Sequence, residues 1–208
     1  LDFRARARDL SFLIDSLPQI QREVPAAAGK FDADRIGAGG HLIGAYASCL
    51  LVGMKVFTLG DRGQPETFED DRVDAALLLS PQGRGQGLTD RSWEDIRKPM
   101  LVMAGSDTPS RRTGNPAKWR TEPFEFARLG DKYLVLIEGL DNRYAGLIDG
   151  QTPDERLAAW VKSSTLAFWD AHLKQTTAAG EFLKSAKLGQ ASGGKAKVIL
   201  RADTGRNQ

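Results

Sequence analysis

The fold is decided by the stretch from Arg35 to Cys49, Arg-Ile-Gly-Ala-Gly-Gly-His-Leu-Ile-Gly-Ala-Tyr-Ala-Ser-Cys. It reads as a short buried strand over 35–39, a tight turn, and a helix of small residues starting near Ile43. Gly40 and Gly44 stand two positions either side of Leu42, the spacing of a G-x-S-x-G elbow. In such an elbow a strained turn lifts the central side chain above a parallel sheet. The flanking glycines are expected because a larger side chain would collide where strand and helix nearly touch. Here the central residue is Leu42, not serine.

Outward from the elbow, short apolar runs alternate with helical patterns. Strands are expected at 73–80, stopped by Pro81, at 99–104, and at 133–138. Residues 4–24 read as an amphipathic helix with Leu10, Leu13, Ile14, Leu17 and Gln21 or Val24 on one stripe, kinked or ended early by Pro18. Residues 60–71 and 83–87 are loops, and 116–128 is partly helical, interrupted at Pro123. Thr152-Pro-Asp-Glu155 carries the signature of a helix start, with a threonine cap, proline in the first turn and glutamate in capping-box position. The helix that follows presents Leu157, Trp160, Val161, Phe168 and Leu173. One domain is expected over residues 1–188, followed by a basic, glycine-containing tail over 189–208 with one short strand at 197–200. Alternating strands and helices predict an α/β fold with a mostly parallel sheet covered on both faces. Ligands then sit at the carboxyl ends of the strands, where Leu42, Ser80, Asp107 and Asn142 fall.

With 208 residues the chain is long enough for one α/β domain with a substantial core. The 29 basic and 27 acidic residues nearly cancel, which gives no footprint for a nucleic-acid partner. Cys49 is the single cysteine, so no internal disulfide forms. No apolar run approaches the roughly 20 residues a transmembrane helix requires. Two histidines and one cysteine do not make a zinc site, so no metal is expected. Gly37-x-Gly39 would need a third glycine at 42 to be a dinucleotide fingerprint, and Gly83 to Gly87 lacks the lysine end of a phosphate loop; no cofactor is expected.

The order of these motifs resembles the α/β-hydrolase fold, and more narrowly the bacterial dienelactone-hydrolase-like and platelet-activating-factor-acetylhydrolase-like esterases. The segments that carry the resemblance are RIGAGGHLIGA (35–45), LLLSPQGRG (77–85), WRTEPF (119–124), GDKYLVLIEG (130–139) and ASGG (191–194). The resemblance implies that the nucleophile position is Leu42, the acid Asp107, the base position Asn142, and that the backbone N–H of Ile43 is an oxyanion donor. It also implies that strands and an oxyanion loop precede the first helix in relatives, so that this chain corresponds to the C-terminal two-thirds of the fold. Relatives of this kind are often exported, to the periplasm or outside the cell.

Leucine cannot attack an acyl carbon, and asparagine cannot accept a nucleophile's proton near neutral pH. Loss of the nucleophile or the base of such a triad costs on the order of 10⁶ in rate. Three readings follow: a disarmed esterase- or lipase-like protein that retains a cleft for a small ester or lipid-like ligand, an active carboxylesterase with another nucleophile, and an interaction subunit that completes its sheet with a second chain or as a homo-oligomer. Ser48 and Cys49 read as packing residues of the elbow helix, His41 and His172 as structural histidines, and Ser80 and Ser106 as lying off any nucleophile-type turn.

Overall fold

The computed structural model describes residues 2–58, 64–107, 114–150 and 152–201. These form an α/β fold around a five-stranded sheet in the order β1 (Ile36–His41), β2 (Val73–Leu79), β3 (Met100–Asp107), β4 (Lys132–Asp141) and β5 (Ala196–Arg201). β1 to β4 are parallel and β5 is antiparallel to β4. Parallel strands that step in one direction with crossovers of one hand must send every crossover over the same face. Accordingly α2 (Ile43–Leu51), the segment through Trp93 and Ile96, and α3 (Glu122–Phe126) all pack on one face, over Ala76, Leu78, Met100, Val102 and Leu134. The opposite face carries Ala75, Leu77, Leu101, Met103, Tyr133 and Val135, and is covered by α4 (Glu155–His172), α5 (Thr177–Lys184) and α6 (Lys187–Ala191). The period-two alternation along each strand thus feeds two separate cores. None of the described helices is long and apolar enough to cross a membrane.

Several local expectations are corrected. α1 (Phe3–Glu23) does not end at Pro18 but continues past it to Glu23, with Pro18 exposed. Its core stripe is Phe3, Ala7, Leu10 and Ile14, while Leu13 is 53% and Val24 45% exposed. α4 is capped by Asp154, which accepts from the N–H groups of Arg156 and Leu157, and not by Thr152. Asp154 wins because its carboxylate lies directly before the first helical turn. Pro123 begins α3 instead of interrupting a helix, since an N-terminal turn has no bond for its missing N–H to break. β3 and β4 extend beyond 104 and 138 to Asp107 and Asp141, which face each other in register. Beyond 189, the expected tail contributes the end of α6 and the whole of β5, with Ala196 fully buried against β4.

Candidate functional site

The carboxyl ends of β1 to β3 finish almost level, with His41 beside Leu79 and Leu79 beside Met103. The turn out of β1 is the sharpest feature of this rim. Leu42, the residue before α2, has φ 52° and ψ −106°, a backbone conformation that costs a residue with a Cβ roughly 1–3 kcal/mol. It is held from both sides. Its N–H donates to Leu79 O at 3.0 Å, prolonging the β1–β2 ladder, and its carbonyl accepts from Tyr46 N at 3.0 Å, the first bond of α2. Strand and helix approach so closely that a Cβ on Gly40 would lie 2.3 Å from the carbonyl carbon of Gly44. Gly44 is different: a Cβ there meets nothing within 4 Å. Only the first of the two glycines is demanded by space.

Because the strain at Leu42 is conformational, glycine should relieve it. Leu42→Gly is expected to raise the thermal midpoint by about 2 °C, the equivalent of a fraction of 1 kcal/mol in a chain of this size. A fall in the midpoint would mean that packing of the half-buried isobutyl group outweighs the strain.

Ser80, next along the rim, also has a positive φ, 48°. Its hydroxyl is no free nucleophile. Ser80 is fully buried, its hydroxyl is 3.1 Å from Tyr144 Oη, and Tyr144 donates onward to Met103 O at 2.8 Å. Burial pushes the Tyr144 phenol far above its ordinary range, so it stays a neutral donor. Arg120 reaches the same place from the segment before α3 and donates from Nη1 to Ser80 O at 2.6 Å and to Pro81 O at 3.1 Å. The ring of His41 stands edge-on to Tyr144 at 5.3 Å between centroids, and its Nε2 has no hydrogen-bond partner among the described residues. Burial, and then the charge of Arg120, lower the His41 pKa, which keeps the imidazole neutral around pH 7. The rim is therefore a packed, hydrogen-bonded cluster that includes the Arg120 guanidinium.

Asn142 follows β4 directly and is half-buried, at the level where Asp107 faces Asp141. The side chain of Asp107 lies outside the described residues. Ile43 is the first residue of α2, so its N–H belongs to the helix's unpaired first turn and is available to an acceptor; its side chain is 39% exposed. Cys49 is 2% exposed, and burial pushes its thiol up to about 12, which makes it a packing residue. Ser48 is equally buried. His172, half-buried on α4, lies 3.2 Å from Tyr133 Oη, and burial lowers its pKa; it is remote from the strand ends. No cluster of three or more metal-ligating side chains occurs among the described residues.

A cavity of about 700 Å³ opens on the α3 face of β3 to β5. Phe124, Leu134, Leu136 and Ile199 form its apolar part, with Lys195 and Lys197 at its edge, and Leu42 does not line it. Sequence reasoning missed Tyr144, Arg120 and this cavity. Tyr144 sits two residues after the expected base position, and that proximity was the only local signal. Compared with family models and with characterised proteins, the chain matches none.

Proposed function

We propose that the chain is an α/β-hydrolase-fold, carboxylester-hydrolase-like protein with a disarmed reaction centre, which binds a small ester or lipid-like ligand without turning it over. The observation that carries this reading is the backbone of Leu42. A strained φ of 52° after a parallel strand is what a nucleophile elbow needs in order to present its side chain, and a leucine gains nothing from it. The strain persists where the reactive group is absent. Asn142 at the end of β4 and the free N–H of Ile43 occupy the positions that the resemblance assigns to base and oxyanion donor. The reading with an alternative nucleophile is less well supported, since Ser80 is hydrogen-bonded and buried and Cys49 is held as a neutral thiol. The cavity, apolar at Phe124, Leu134, Leu136 and Ile199 and bordered by Lys118, Lys195, Lys197, Glu125 and Glu138, offers room for an acyl chain with a polar head.

The test is hydrolysis of p-nitrophenyl acetate by the unmodified chain and by a Leu42→Ser/Asn142→His double variant. The unmodified chain is expected to remain at the buffer rate and the variant to exceed it by at least about tenfold. Hydrolysis by the unmodified chain, accompanied by labelling with a serine-directed phosphonate, would overturn the disarmed reading. A silent double variant of native stability would remove the support drawn from the elbow.

A further inference from the structure

The last turn of α4 carries a titratable group that the rim does not use. His172 is half-buried there, with its ring 5.0 Å from that of Phe168 and 5.5 Å from that of Tyr133 between centroids. Tyr133, in β4, is 1% exposed, and its Oη lies 3.2 Å from His172 Nε2. That imidazole is the hydroxyl's one hydrogen-bond partner among the described residues. A buried phenol with a single neighbour to donate to fixes the tautomer of the ring. Tyr133 O–H donates to Nε2, and the imidazole hydrogen sits on Nδ1.

A cavity of about 330 Å³ opens beside this pair, between the end of α4, the start of β4 and the inner side of α5, so water and protons reach the imidazole. The helix on its far side is lightly anchored. α5 is eight residues long, Thr176 gives it no side-chain cap bond, and Leu183 is its one fully buried residue. Ala179 and Phe182 are only partly buried against the core. Gln175, in the link from α4, has a φ of 55°. A helix of two turns is not stable alone and depends on what it packs against. Such a segment opens locally before the rest of the domain does.

We infer that the His172–Tyr133 pair is a proton-operated latch, which holds α5 against the sheet while the imidazole is neutral and loosens it when His172 takes up a proton. Protonation puts a hydrogen on Nε2. The imidazolium then only donates to Tyr133 Oη, and the buried hydroxyl loses its acceptor. The new charge faces Asp131 and Lys132 at the start of β4, and Lys184 and Glu181 on α5. On its own helix Asp170 is paired with Lys174 at 2.8 Å. α5 thus presents one residue of each sign and gains no net ion pair from the proton. Burial outweighs the attraction of Asp131, and Lys184 and Lys132 oppose the charge further, so the His172 pKa stands below its ordinary value. A histidine lowered in this way contributes stability that is full above the unfolded value of about 6.5 and is lost as pH falls below it. The inference is independent of the chemistry at Leu42.

The experiment is amide exchange of the whole chain at pH 7.5 and pH 5.5, corrected for intrinsic exchange rates, with an NMR titration of the His172 ring. Between the two pH values the unmodified chain is expected to lose about tenfold in protection over residues 179–184, while β2 and β3 keep theirs. His172→Gln retains an acceptor for Tyr133 and does not titrate, so its loss should stay under about twofold. His41, the other half-buried histidine, titrates in both proteins, and the difference between them belongs to His172. The His172 ring should titrate below the range of an unstructured histidine. Equal protection of α5 at both pH values would overturn the proposal, as would an equal loss in His172→Gln or titration of His172 above about 6.5. Should His172→Gln be unfolded by circular dichroism at pH 7.5, Tyr133→Phe takes its place. It removes the stranded donor, so its loss should be about threefold or less, and a full tenfold loss there would count against the latch.

Discussion

Gly40→Ala is expected to destabilise this protein severely. Its Cβ would lie 2.3, 2.6 and 2.7 Å from the carbonyl carbon, carbonyl oxygen and Cα of Gly44. All three are backbone atoms, so no side chain can swing aside. Relief requires α2 to move away from β1, and α2 cannot move freely. Ala45, Leu50 and Leu51 are essentially inaccessible in the core, and Leu42 is tied to both β2 and the first turn of the helix. Overpacking of this kind costs about 1–3 kcal/mol where side chains can adjust, and a backbone clash should exceed that, near 4 kcal/mol. Urea unfolding of Gly40→Ala and Gly44→Ala measures it directly. Gly44→Ala, whose new methyl meets open space, should be neutral or slightly stabilising because alanine is the better helix former. Equal losses from the two substitutions would contradict the geometry of the turn.

Arg120→Met is expected to cost about 2–4 kcal/mol. Arg120 is 4% exposed and its guanidinium supplies donors for Ser80 O and Pro81 O. Methionine fills much of the volume but leaves two carbonyls at the end of β2 without those donors, and an unsatisfied buried acceptor costs about 1–3 kcal/mol. Burial lowers the Arg120 pKa, yet a guanidinium remains charged at any pH at which the protein folds. Lysine would keep the charge and lose the fork, so Arg120→Lys should recover only part of the stability. A methionine variant as stable as the parent would show that this cation serves something other than the rim. Chemical denaturation of the three proteins decides the matter.

Much of the α/β architecture is legible in local sequence. The apolar runs at 73–79, 100–104 and 133–137 are near-continuous because both faces of those strands are buried, and strand length is all that is needed to recognise them. The tight turn from β1 into α2 was equally visible, since Gly40, Leu42 and Gly44 act on one another across a few residues. Errors arose where a distant partner chose between local options. The core stripe of α1 was misassigned because α2 and the segment at 66–72, not the helix, decide which flank turns inward. The glycines at 37 and 39 have a packing reason that the sequence did not show, an indole 130 positions or more further along the chain.

The sequence by itself therefore determined most of the elements and the parallel sheet they imply. These rest on side-chain chemistry and on interactions within one turn or one strand. Only the tertiary structure decided that Ser80 is held by Tyr144, 64 residues away, and that Arg120 reaches back 40 residues to cap β2. Hydrogen bonds and packing depend on separation in space, and no periodicity records a separation that the folding of intervening strands creates.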